Sequence, residues 1–152
     1  MNELHDMYQE LVLDHSKSPC NHHELESATH QAEGYNPFCG DRVKVYLLIE
    51  DGAIRDVAFT GEGCAICTAS ASMMTQAVRN MNSGDAEAAF DRFHDLLTDH
   101  AGTIEDGELD DLGDLASLVS VRRFPIRVKC ATLPWHTLKA ALHGDGEPVS
   151  TE

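Results

Sequence analysis

Basic residues are scarce in this chain: 11 Lys and Arg stand against 26 Asp and Glu, a formal net charge of −15. That shortage argues against binding DNA or RNA through the phosphate backbone, which needs clustered cations. Long apolar runs are missing too. No window approaches the ~20 consecutive apolar residues of a membrane span, so no membrane partner is expected. The first residues, Met1-Asn2-Glu3-Leu4-His5-Asp6, carry acid where a signal peptide needs base, and the expected location is cytoplasmic. Paired cysteines are missing as well. Five cysteines are an odd number, unlike the disulfide framework of a small secreted domain, and in a reducing compartment they point to metal binding or catalysis. The acidity fits a basic protein partner or a salt-adapted source equally well.

What is present suits one domain over residues 1–143, with 144–152 as a disordered tail; no repeat or linker interrupts it. Leu4, Met7, Tyr8, Leu11 and Val12 follow the helical period over roughly 2–15, and Ser18-Pro19 ends that helix. Residues 25–36 are weakly patterned and read as an edge strand. Val43, Val45, Leu47 and Ile49 alternate with Arg42, Lys44, Tyr46 and Leu48, the period of a strand with one buried face. Glu50-Asp51-Gly52 is hairpin chemistry, and Ala53–Thr60 is the return strand. A helix follows Cys64 to about Asn80, with Ala65, Ala69, Met73 and Val78 inward. Asp85 caps the next helix, which carries Ala89, Phe90, Phe93, Leu96 and Leu97. Residues 99–111 read as an acidic loop. Leu112, Leu115, Leu118 and Val119 mark a short helix, and a final helix runs from Cys130 to about Leu142 with Leu133, Leu138 and Leu142 inward. The expected fold is α+β: a small, mainly antiparallel three-stranded sheet covered on one face by helices.

The stretch Gly61-Glu62-Gly63-Cys64 places a cysteine where a helix begins, and the free N–H groups of a helix N-terminus favour a thiolate. Cys39-Gly40-Asp41 precedes the first strand of the hairpin and Gly63-Cys64 follows the second, so the hairpin brings the two loops together. With Cys130 they make a set of three thiolates and one carboxylate: Cys39, Asp41, Cys64 and Cys130. Zinc takes such ligands in tetrahedral geometry. The site would be strongly anionic, and Lys129 or Arg127 would temper it. Unrelated buried cysteines remain the alternative to a shared site, and His22, His23 and Cys20 read as exposed loop residues.

Asn36-Pro37-Phe38-Cys39-Gly40-Asp41, Gly61-Glu62-Gly63-Cys64-Ala65-Ile66, Ala69-Ser70-Ala71-Ser72-Met73-Met74-Thr75 and Arg127-Val128-Lys129-Cys130-Ala131-Thr132-Leu133-Pro134-Trp135 resemble the NifU N-terminal, IscU-like family. Within it the chain resembles the SufU branch, since Lys129 stands where the IscU scaffold branch carries histidine and an insertion containing Leu112–Leu118 precedes Cys130. The resemblance implies a zinc-dependent sulfurtransferase serving iron–sulfur cluster assembly. Its partner would be a pyridoxal-phosphate cysteine desulfurase of the SufS type, with downstream assembly machinery as recipient. Cys39 would accept the persulfide sulfur, and Asp41, Cys64 and Cys130 would hold zinc. A partner histidine would replace Cys39 on the metal, and Arg127 would assist at the interface or the metal. Two departures stand out: Cys67 replaces the usual serine, and Cys20 replaces a basic residue.

Two other functions compete. An IscU-type scaffold would build an iron–sulfur cluster on Cys39, Cys64 and Cys130. A thiol–disulfide oxidoreductase would use Cys64-Ala65-Ile66-Cys67, but it needs a parallel βαβ setting and leaves Cys39, Asp41 and Cys130 unexplained. Cys67 itself could pair with Cys64, lend a spare ligand or fill space; as a near-isostere of serine it reads best as a small buried residue.

Overall fold

The computed structural model describes residues 3–37, 40–98, 113–144 and 149–150. Cys39, the acidic stretch 99–111, Leu112 and most of the 144–152 tail lie outside the described residues. The fold is α+β. An antiparallel sheet is formed by β1 (His30–Asn36), β2 (Asp41–Glu50) and β3 (Ala53–Glu62), with helices packed on it. The sheet order is β3-β2-β1-β4, where β4 is the two-residue Val149–Ser150 lying parallel to β1 at Gly34 and Tyr35. That short strand falls in the segment read as tail. β1 pairs along its whole length with β2, and only two of its residues meet β4, so it is close to the edge strand expected.

The β2–β3 hairpin turns on Asp51 and Gly52, with φ of 53° and 77°. Two consecutive positive φ values match the right-handed twist of the flanking strands, and Asp-Gly tolerates them. Val43, Val45, Leu47, Ile54, Val57 and Phe59 are buried beneath the helices. A register irregularity at Leu48/Ile49 leaves Ile49 only half-buried.

The helices are α1 (Glu3–Lys17), α2 (Ala65–Val78), α3 (Ser83–Thr98) and α4 (Pro125–His143), with a 3-10 segment, η1, over Gly113–Arg123. Three local readings are corrected. Asn82, not Asp85, caps α3: its Oδ1 accepts the Asp85 N–H at 2.7 Å, because Asn at the residue before a helix reaches its first free donors. The last helix begins at Pro125, five residues before Cys130, since proline at a first helical position gives up a donor that would be free anyway. Ala65 is exposed rather than inward, while Ala69, Met73 and Val78 are buried as expected. None of the described helices is long and apolar enough to cross a membrane.

α4 lies close against β1. Ala32 and Gly34 point inward from the strand, and a Cβ on Gly34 would fall 2.1 Å from Thr137 Oγ1. That hydroxyl is held by the Leu133 carbonyl at 2.8 Å. Below it, Trp135 and Phe93 meet with ring centroids 5.2 Å apart. A polar bracket ties α1 to the rest: buried His15 contacts Ser72 Oγ of α2 at 2.7 Å and Asp114 Oδ2 of η1 at 3.1 Å.

Gly34→Ala is expected to cost about 1–3 kcal/mol in urea unfolding, and Thr137→Ala in the same chain should recover part of it. Equal losses in the single and double variants would refute the contact. Burial, with the charges of His94 and Lys139, lowers the His136 pKa to about 4. Unfolded, that histidine titrates near 6.5, so the unfolded chain binds more protons between the two values. The fold therefore keeps this contribution above pH 6.5 and loses it as pH falls toward 4. Discounted for its partial exposure, about 1–2 kcal/mol is at stake. His136→Phe should flatten urea stability across that window; an unchanged slope would refute the assignment.

Candidate metal centre

The hairpin delivers Asp41 and Cys64 to one place. Asp41 opens β2 beside the end of β3, where Arg42 pairs with Glu62. The strands cross closely there: Gly61 has φ of +137°, and a Cβ on it would lie 2.1 Å from the Arg42 carbonyl oxygen. Three residues after Gly61, Cys64 caps α2, with φ −68° and ψ 168°. Its N–H donates to Asp41 Oδ1 at 2.8 Å, and its Sγ accepts the Cys67 N–H at 3.4 Å. Cys130 enters from α4. Its Sγ receives Asn36 Nδ2 at 3.9 Å and sits 3.8 Å from the Ile126 carbonyl oxygen.

One ligand atom from each of Asp41, Cys64 and Cys130 lies within 4.8 Å of the other two. Asp41 and Cys130 are fully buried, and Cys64 is half-buried, so the cluster opens to solvent on the Cys64 side. Among the described residues no basic side chain pairs with the buried Asp41 carboxylate. A buried carboxylate without a counter-charge is costly, and a bound cation resolves that cost. Tetrahedral zinc with Zn–S bonds of ~2.3 Å sets ligand separations of roughly 3.5–3.8 Å. The Cys64 Sγ to Asp41 Oδ2 distance is 3.7 Å. The donor set, its burial and this one separation suit a tetrahedral metal such as zinc.

Of the residues the sequence singled out, Asp41, Cys64 and Cys130 are brought together. Cys39 lies outside the described residues, between the described Pro37 and Gly40. Gly40 closes the connection, with its N–H on the Asn36 carbonyl at 2.8 Å and φ of +72°. Arg127 is exposed on α4, three residues before Cys130, and is not one of the clustered ligands. Cys20 is held by Gln76 Nε2 at 3.1 Å, away from the cluster. Cys67 is buried on the first turn of α2, but the strand before that turn is antiparallel to its neighbour, not the βαβ setting of a redox pair. Asn36 was not singled out as a site residue. Its signal was available: a polar residue at the inward period of β1, next to a loop carrying Cys39 and Asp41.

A family model described as "NifU-like N terminal domain" matches residues 7–131. The chain is 38% identical to a protein of Bacillus subtilis named zinc-dependent sulfurtransferase SufU, over 90% of this chain and 89% of that protein. It is 37% identical to a protein of Streptococcus pyogenes named iron-sulfur cluster assembly scaffold protein IscU, over 93% of this chain and 86% of that one. Among solved structures, FiSufU of Fervidobacterium islandicum, described as a candidate iron-sulfur cluster assembly scaffold protein for the SUF system, superposes with a TM-score of 0.78 at 33% identity. The match covers 91% of this chain and 98% of that one.

Asn36 contacts the sulfur of Cys130, a candidate ligand, and a group that supports a metal ligand in this way tunes metal affinity by about 10–100-fold. Asn36→Ala is expected to weaken zinc binding at the lower end of that range in a chelator competition, with secondary structure retained. An unchanged affinity would show that the contact does not matter.

Proposed function

The chain belongs to the NifU-like N-terminal domain family, whose relatives serve iron–sulfur cluster assembly, and from that premise we propose that it is a zinc-dependent sulfurtransferase. Its sulfur donor is a pyridoxal-phosphate cysteine desulfurase of the SufS type, its recipient the cluster assembly machinery, and its compartment the cytoplasm. A single domain over 1–143 does the work. The observation that carries the reading is the convergence of Asp41, Cys64 and Cys130 from a strand, a helix cap and a helix. Cys39, two residues from Asp41, completes the ligand set and is the sulfur acceptor.

Bound zinc would supply charge that keeps its cysteine ligands ionised at neutral pH. Asp41 holds the far side of the site and fixes the N-terminus of α2 through the Cys64 N–H. In transfer, the Cys39 thiolate attacks the terminal sulfur of the donor's persulfide. The donor's S–S bond breaks, a new S–S bond forms on Cys39, and the donor departs as a thiolate, so no outside oxidant or reductant takes part. Arg127, exposed beside the site, offers a cation to the anionic persulfide as the donor docks.

A scaffold role for the same residues is the second reading. It is favoured by the relative named IscU, whose 37% identity is nearly that of the relative named SufU. Elemental analysis of wild type and Asp41→Ala, with desulfurase turnover measured with and without each protein, separates the two. The expected result is one zinc per chain, with zinc and desulfurase stimulation lost together in Asp41→Ala. Stoichiometric iron with labile sulfide after anaerobic purification would favour the scaffold instead.

A further inference from the structure

Where α3 and α4 pack together, two histidines meet at the rim of the core. Phe93 of α3 and Trp135 of α4 are fully buried, with ring centroids 5.2 Å apart. The next residue on each helix is a histidine. His94 and His136 are half-buried, their ring centroids 5.3 Å apart and their planes 80° to each other. Phe90, one turn before His94, completes a triangle of rings, 5.6 Å from His94 and 5.0 Å from His136. The core pair below and the phenyl ring beside them hold both imidazoles in place. Among the described residues neither imidazole has a hydrogen-bond or ion-pair partner.

We propose that His94 and His136 form a second metal site, separate from the hairpin centre, for a divalent transition ion such as nickel, copper or zinc. The separation of the rings suits it. Two imidazoles sharing one tetrahedral ion through Zn–N bonds of ~2.0–2.1 Å have ring centroids about 5 Å apart. Bringing one nitrogen of each ring onto the ion takes only rotation about the terminal side-chain torsions, which are broad and shallow in histidine. The donor type sets the class of ion, because imidazole suits nickel, copper and zinc rather than calcium or magnesium. Burial, with the charges of His94 and Lys139, lowers the His136 pKa to about 4, so at pH 7 this ring is in the neutral form that binds metal. Lys139 opposes a cation there, but it is exposed, with its ammonium over the Phe90 ring at 5.2 Å. Asp91 and Asp95, exposed on α3 to either side of His94 in sequence, attract one. Among the described residues no third ligand-type side chain clusters with the pair, so water fills the remaining positions. With two protein ligands, against Asp41, Cys64 and Cys130 at the hairpin, the site is the weaker of the two and fills only when metal is in excess. Once filled, it clamps α3 to α4, and binding the folded chain alone stabilises it.

The test titrates nickel(II) chloride into zinc-loaded wild type, His94→Gln and His136→Gln at neutral pH, followed by calorimetry. Wild type should take up one nickel beyond its zinc. Each variant should bind that nickel at least about tenfold more weakly, because losing either ring ends the two-point attachment. In magnetic-resonance spectra of the histidine side chains, nickel should broaden the His94 and His136 signals before those of any other histidine. Wild-type affinity in either variant, or broadening led by another histidine, overturns the site. Nickel bound only as zinc is released, followed with a zinc indicator dye, also overturns it. The hairpin centre fails separately: if wild type holds no zinc, the second nickel equivalent is compared across the same three chains. Circular dichroism checks each fold, and His136→Phe, which keeps the ring packing, replaces His136→Gln if glutamine unfolds the chain.

Discussion

The bond from the Cys64 N–H to the Asp41 carboxylate, 2.8 Å long, holds this molecule's business end together. It joins the first residue of a strand to the cap of a helix, and it sets a carboxylate where the helix dipole is positive. The hairpin makes the bond possible by returning the chain to its own start. Gly61 makes the return tight, since any side chain there would strike the Arg42 carbonyl. Everything chemical in the site, including the approach of Cys130 and the proximity of Cys67, is arranged around that fixed carboxylate.

Much of this was legible in the sequence because it rests on short-range rules. Strict alternation from Val43, followed by Asp51-Gly52, specifies a hairpin with little help from the rest of the chain. The hairpin in turn predicts that Asp41 and Cys64 meet. Illegible parts depend on competition between neighbours or on distant packing. Asn82 and Asp85 are both good caps, and the choice between them fell to the backbone: Asn82 already bridges to Ala53 of β3, which fixes where α3 begins. Pro125 ends most local readings, yet at the first position of a helix it is favourable, so α4 starts a full turn earlier than Cys130 suggested. β4 has two residues and no pattern to detect. Asn36 stands out in the sequence as a polar residue at an inward position of β1, but its partner, Cys130, is settled only once α4 lies against β1.

The two functions that the relatives' names allow, carrying sulfur and building clusters, ask for different things from one ligand set. A scaffold needs its cysteines to stay on metal as the inorganic core grows. A carrier needs one cysteine to leave and return while the metal remains. A half-buried Cys64 beside a fully buried Asp41 and Cys130 leaves the cluster open on one side only, a feature that either function can use.

The contact at Gly34 also sets a clock. With no side chain between strand and helix, and the Thr137 hydroxyl filling that gap, α4 cannot slide without breaking a close-packed interface. Cys130 is therefore a stationary post. Rearrangement at the site falls to rotations about single side-chain bonds, which run in picoseconds to nanoseconds, rather than to helix shifts of microseconds and longer. On the sulfur-carrier proposal, uptake then keeps pace with the encounter of donor and acceptor, with no helix movement to wait for.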